Sequence, residues 1–203
     1  MLSYQTIEPH TLELLRRLMT EPSLMETRLV GGTALALQYG HRNSVDLDFF
    51  GKLDEDTLVV RSCLEKIGKV NVIKETKSIR IYNLDDVKID FVDYSRYDWI
   101  DEPVVEGNLR LASPKDIAAM KINAIEGRGT RKDFIDIYYI LQHYTLTDLL
   151  NFYKQKYPEY SIFRALMSLS YFVDAEKQNM PKMFTTDSWE EMKAYILKKV
   201  EAI

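Results

Sequence analysis

The chain has 203 residues, with 31 acidic against 27 basic side chains, a formal net charge of −4 and 46% hydrophobic residues. That hydrophobic content supports one or two packed domains and excludes a disordered chain. A net acidic charge is no general signature of nucleic-acid binding, which would then rest on a local basic patch. No stretch approaches the ~20 apolar residues of a membrane-spanning helix, and the N-terminus lacks the basic-then-apolar pattern of a signal peptide. The single cysteine, Cys63, forms no internal disulfide, so a cytoplasmic protein with a buried thiol is expected. His10, His41 and His143 fit no zinc spacing.

In chain order, a helix is predicted over 9–19, and Thr27-Arg28-Leu29-Val30 closes a strand. Gly31-Gly32 permits a tight turn and lets a ligand approach the backbone, having no Cβ. Thr33 to Tyr39 is a good helix former, with Gly40 at the C′ position, and the amides at that helix start are a natural phosphate cradle. After a polar turn, His41-Arg42-Asn43-Ser44, comes the strand Val45-Asp46-Leu47-Asp48-Phe49-Phe50. Residues two apart in a strand share a face, so Asp46 and Asp48 point one way while Leu47 and Phe49 enter the core. A helix over 55–67 and a strand over 70–74 follow. Residues 78–82 and 87–92 alternate around Asn83-Leu84-Asp85-Asp86, predicting a hairpin with a loop longer than the two-residue optimum. Asp90 lies on the face opposite Val87, Ile89 and Phe91; Asp93, on the other face, is a weaker candidate.

Beyond residue 112 the pattern is helical, over 113–126, 131–144, 147–157, 160–176 and 187–201. Ser113-Pro114-Lys115-Asp116 is a helix start with Ser as cap, Pro first and Asp at the third position. Lys121 sits in an otherwise apolar stretch and is expected to reach outward from a packed helix. In the next helix Phe134, Ile137, Tyr138 and Leu141 form one face, with Asp133 and Asp136 on an adjacent stripe. Those two aspartates equally fit a surface pair satisfied by Arg131 or Lys132. The fold class expected is α+β: a mixed, largely antiparallel sheet with flanking helices over 1–112, then a helical domain over 113–203.

Two carboxylates on one strand face repel unless a cation lies between them, and oxygen-only ligands suit Mg²⁺ or Mn²⁺. An isolated Asp-x-Asp is most often a solvated surface pair. Here the apolar flanks set it on a core strand, a Gly-Gly turn lies upstream, and Asp90 is the best third ligand. Arg128, Arg131 and Lys132 form one basic cluster and Lys198-Lys199 another; the 13 tyrosines are more often core and rim residues than stacking platforms.

Gly31-Gly32-Thr33-Ala34-Leu35, then His41-Arg42-x-Ser44-x-Asp46-Leu47-Asp48-Phe49-Phe50, resembles the AbiEii/AbiGii toxin family of nucleotidyltransferases, within the DNA polymerase β-like superfamily. Lys115 to Ala124 and Arg128 to Ile137 are similar to that family's Lys…Arg…Lys-Asp-x-x-Asp segment, and Tyr171 to Glu176 with Pro181 to its C-terminal helix and turn. The resemblance implies that Gly31, Gly32 and Thr33 cradle nucleotide phosphates, that Asp46, Asp48 and Asp90 bind two metals, and that Lys121 reaches a phosphate. Either Asp133 or Asp136 stands in the last acidic motif, and Arg128 belongs with the nucleotide-binding set. A cleft between the two halves would gather these groups. Two Mg²⁺ (or Mn²⁺) ions about 4 Å apart would then assist transfer of a nucleoside monophosphate from an NTP to an acceptor hydroxyl. The family implies an RNA acceptor, tRNA above all, a toxin role in a toxin–antitoxin or phage-defence pair, and a cognate antitoxin. A protein or small-molecule acceptor, and a non-catalytic nucleotide-binding relative, stay open as alternatives.

Overall fold

The computed structural model describes residues 1–53 and 56–203. The expected helix start at Glu55 lies outside the described residues. The chain divides into two compact units, one of Met1–Asp98 with Pro103–Ala112 and the other of Trp99–Glu102 with Ser113–Ile203.

The first unit is built on a seven-stranded mixed sheet. Its strands are β1 (Thr27–Leu29), β2 (Leu47–Gly51), β3 (Val70–Glu75), β4 (Ile79–Leu84), β5 (Val87–Asp93), β6 (Val104–Glu106) and β7 (Leu109–Leu111). The spatial order is β3-β4-β5-β2-β1-β7-β6. Most neighbours are antiparallel; β2 with β5 and β1 with β7 are the parallel pairs. Strand alternation decides which face is dry: Leu47, Phe49, Ile89 and Phe91 are fully buried while Asp48 and Asp90 are half-buried on the other side. The Phe49 and Phe91 rings stack at 5.2 Å between centroids, and each such burial contributes roughly 1.5–3 kcal/mol.

Three helices complete this unit: α1 (Pro9–Leu18), α2 (Gly31–Tyr39) and α3 (Thr57–Glu65). Thr33 to Leu37 are all buried, so α2 is apolar around most of its circumference, as a helix enclosed by its own domain must be. Its end is the one expected, with Gly40 in the left-handed conformation at φ 72°. Its start is earlier, since Gly31 and Gly32 already belong to the first turn.

Two expectations change here. The β4–β5 connection is the two-residue optimum, because β4 continues to Leu84 and Asp85 and Asp86 form the turn at φ 46° and 67°. Both central residues of that turn need positive φ, which aspartate tolerates better than most side chains. The β6–β7 hairpin was not anticipated; Gly107 at φ 62° opens its turn, and β7 adds a parallel partner to β1.

The second unit is helical: α4 (Pro114–Gly127), α5 (Arg131–Ile140), α6 (Leu146–Lys156), α7 (Ile162–Ser168), α8 (Val173–Glu176) and α9 (Trp189–Val200). The predicted 160–176 helix is two helices, and α5 stops at Ile140 rather than at 144. α4 packs against α5, α6 and α7, and α5 against α9. Phe134 meets Phe172 at 4.7 Å and Trp189 at 6.3 Å, an aromatic knot within this unit. Ser113 caps α4 as read from the sequence. The Asp116 carboxylate accepts from the Ser113 hydroxyl at 2.6 Å, the Ile100 amide at 2.9 Å and Lys156 Nζ at 2.7 Å. Lys156 Nζ also lies 4.8 Å from the centroid of the Trp99 ring. A buried lysine and a buried aspartate thereby satisfy each other and fasten the segment Trp99–Glu102 to the helices. Among the described residues, no helix is long and apolar enough to cross a membrane.

Candidate active site

The parallel β2–β5 pair sets Asp48 opposite Asp90, one strand apart on the same sheet face. Asp46 lies two residues before Asp48 and one before the first residue of β2. Continuing the β2–β5 register back one step sets Asp46 opposite Lys88. Lys88 Nζ donates to Asp90 Oδ2 at 2.8 Å. Partial burial pulls the Lys88 ammonium down, but the bond and charge of Asp90, with Asp48 and Asp46 behind it, hold it above its ordinary value. The other oxygen, Asp90 Oδ1, is buried and accepts no hydrogen bond. That is costly for an ionised carboxylate unless a positive group completes it.

The Gly-Gly turn meets this face through its missing side chains. A Cβ on Gly31, at φ 68°, would lie 2.4 Å from Asp48 Oδ2, so the carboxylate rests against the glycine backbone. A Cβ on Gly32 would lie 2.2 Å from Arg42 Nη2. Arg42 is 1% exposed and donates from Nη1 to the Asn43 carbonyl at 3.0 Å. The Val30 amide donates to the Asp48 carbonyl at 2.8 Å, tying the start of α2 to β2. Thr33 is buried; its hydroxyl bonds Ser44 Oγ at 2.8 Å and the Asp46 carbonyl. The Thr33 side chain therefore fixes the approach to Asp46 from within the fold. The residue before α2, Val30, offers no side-chain cap.

Lys121, Asp133 and Asp136 form a second group, within the helical unit. Lys121 was expected to reach outward; it is instead 6% exposed, with Nζ 2.9 Å from Asp133 Oδ1 and 2.6 Å from Asp136 Oδ2. α4 and α5 pack together, and residues three apart on α5 present two carboxylates to one ammonium. The surface-pair reading of Asp133 and Asp136 falls with it, since both are buried. Asp133 also accepts from the Thr130 hydroxyl at 2.6 Å and from Arg128 Nε at 3.2 Å. Burial drives the Asp133 carboxyl up, but the Lys121 and Arg128 charges and the Thr130 bond outweigh it and hold it below its ordinary value. Arg131 of the predicted basic cluster is turned to the Ala175 and Glu176 carbonyls, at 2.9 and 3.0 Å.

Donor chemistry and the orphaned Asp90 oxygen fit a hard divalent cation at the strand carboxylates. Among the described residues, no group of three or more His, Cys, Asp or Glu side chains is already set to hold a metal ion. The strands thus bring Asp48 and Asp90 side by side, with Asp46 adjacent in sequence, but do not close the three around one point. Lys88 supplies positive charge to Asp90. Lys88 and Arg42 are the residues that sequence reasoning passed over. The signal for Lys88 was its position two before Asp90, on the same face.

The profile of the family described as nucleotidyl transferase AbiEii toxin, type IV TA system, matches residues 13–202. The uncharacterized protein aq_aa25 of Aquifex aeolicus (strain VF5) is 34% identical over 179 residues, covering 85% of each chain. A crystal structure of a candidate nucleotidyltransferase from H. pylori superposes with a TM-score of 0.52 at 20% identity, covering 96% of this chain and 98% of that one; that likeness speaks for the fold, an α+β nucleotidyltransferase architecture. With a Gly-Gly turn seated against a strand carboxylate and a family profile spanning nearly the whole sequence, the chain belongs to the AbiEii toxin family of nucleotidyltransferases.

Proposed function

We propose that this nucleotidyltransferase moves a nucleoside monophosphate from an NTP to an acceptor hydroxyl on RNA of the tRNA class, as the toxin of a toxin–antitoxin or phage-defence pair. The observation that carries the reading is the pairing of Asp48 with Asp90 on one sheet face, with a buried Asp90 oxygen lacking any hydrogen bond. Asp46, Asp48 and Asp90 would hold Mg²⁺ or Mn²⁺, which when bound would lower the pKa of the acceptor hydroxyl and offset the charge of the triphosphate. The start of α2 at Gly31 and Gly32 would turn backbone amides toward a phosphate. Lys121, Arg128, Asp133 and Asp136 form an ion-paired cluster within the helical unit, and a part for it in nucleotide binding is what the family resemblance implies. The acceptor hydroxyl gives up its proton to solvent as its oxygen bonds the α-phosphorus, the bond to the bridging oxygen breaks, and pyrophosphate leaves. A cognate antitoxin is the partner this reading requires; a stable complex with it is not.

The test uses purified protein with each α-labelled NTP, Mg²⁺ or Mn²⁺, and total RNA or total protein. Label is expected in a tRNA-sized band, and its loss in Asp48→Asn with an unchanged circular dichroism spectrum. Label carried only by protein, or transfer retained by Asp48→Asn, would overturn the assignment.

A further inference from the structure

Lys88 sits among the three strand aspartates. It bonds Asp90 directly and lies on the same side of the sheet as Asp48, one position before Ile89, the partner of Leu47. Its side chain is 44% exposed and that of Asp90 21%, so the ammonium closes the carboxylate face from the solvent side and has room to leave it. The carboxylates are not gathered into a ready cation site, and one Asp90 oxygen is left without a bond. The Lys88 ammonium bonds one oxygen of Asp90 and leaves the other unbonded.

We propose that Lys88 is the resident counter-ion of Asp90 and that a divalent cation must displace its ammonium from Asp90 to bind. The inference rests on the metal-dependent reading above. Its consequence is that nucleotide-free protein takes up the cation weakly, and that the triphosphate, by adding ligands of its own, makes the exchange favourable. Cation and nucleotide then bind cooperatively, and the Lys88 side chain on β5 contributes to that cooperativity.

The experiment measures Mn²⁺ binding to the full chain by the electron paramagnetic resonance signal of free Mn²⁺, first without nucleotide and then with a non-hydrolysable ATP analogue. Lys88→Met keeps most of the aliphatic stem and removes the charge; Lys88→Gln keeps a hydrogen-bond donor and guards against loss of folding, which circular dichroism checks. Both variants should bind Mn²⁺ at least about fivefold tighter than wild type without nucleotide, the low end of usual coupling between sites, and show a smaller gain when the analogue is added. Asp90→Asn combined with Lys88→Met should erase the increase. Variants that bind Mn²⁺ no tighter than wild type overturn the Lys88 role alone, provided wild type binds. Absence of Mn²⁺ binding in every protein, with and without the analogue, overturns the metal reading and this inference with it.

Discussion

Replacing Lys121 with methionine removes one charge and leaves two buried carboxylates facing the space it held. Asp133 and Asp136 are 1% and 0% exposed, and both lie within 3 Å of Lys121 Nζ, at 2.9 and 2.6 Å. Asp133 retains Thr130 and the largely exposed Arg128. Breaking a buried pair by removing one partner costs about 3–5 kcal/mol, at least about a fifth of the ~5–15 kcal/mol that holds a typical domain together. Urea titration followed by tryptophan fluorescence reads this directly, because both tryptophans, Trp99 and Trp189, belong to the helical unit. The pH dependence carries the sharper test. In wild type the Asp133 carboxyl is held below its ordinary value. Its ionised form therefore stabilises the fold above the unfolded value of about 4, and that contribution is lost as pH falls through the native value. In Lys121→Met the burial that pushes Asp133 up remains and the main opposing charge is gone, so protonation relieves the defect. The deficit relative to wild type should be largest near about pH 7.5 and shrink toward about pH 4.5. A deficit below about 1 kcal/mol at neutral pH, or one that widens with acid, would refute the placement of Lys121 between two ionised carboxylates.

Gly31→Ala should cost about 1–2 kcal/mol for the left-handed backbone alone and should also depress transfer, since the new Cβ would lie 2.4 Å from Asp48 Oδ2; thermal unfolding and kcat/KM both report it, and an unaffected kcat/KM would count against the Asp48 role. Gly32→Ala meets Arg42 rather than the carboxylate, so a double-mutant cycle with Arg42→Ala should show a coupling of roughly 0.5–3 kcal/mol, and strict additivity would contradict the contact. Burial pushes the Cys63 thiol up to about 12, so iodoacetamide should label it at neutral pH only as urea unfolds the protein; full labelling of the native protein within minutes would show an accessible thiolate.

The faces of β2 and β5 were legible because a strand has a period of two, and apolar residues on one side fix what the other side presents. Which strands become neighbours is a long-range outcome, and nothing in Val87 to Val92 says that β2 rather than another strand lies beside it. The same limit hid the burial of Lys121: its partners come from another helix, 12 and 15 positions further on, and an ammonium in an apolar run is ordinarily solvated. By contrast the β6–β7 hairpin carried a local signal. Gly107-Asn108 stands between Val104-Val105-Glu106 and Leu109-Arg110-Leu111, a two-residue turn flanked by short β-forming runs. The hairpin turn at Asp85-Asp86 was harder to place, since asparagine and glycine are its usual occupants and Asn83 drew the prediction two residues early.

The segment Trp99–Glu102 is grouped with the helices although the residues on either side of it, up to Asp98 and from Pro103, are grouped with the sheet. Covalent order and compact grouping therefore disagree, and the protein cannot be cut into its two parts at one peptide bond. A fragment that begins at Ser113 would lose the Ile100 and Asp101 amides, at 2.9 and 3.3 Å, that help hold the Asp116 carboxylate, as well as the Trp99 ring over Lys156. It would carry the buried Asp116–Lys156 pair half undressed at its own first turn. A fragment ending at Ala112 would carry four residues whose partners stay behind. Dissection by proteolysis or recombinant truncation should accordingly yield poorly behaved halves, and the two units should be moved or fused together.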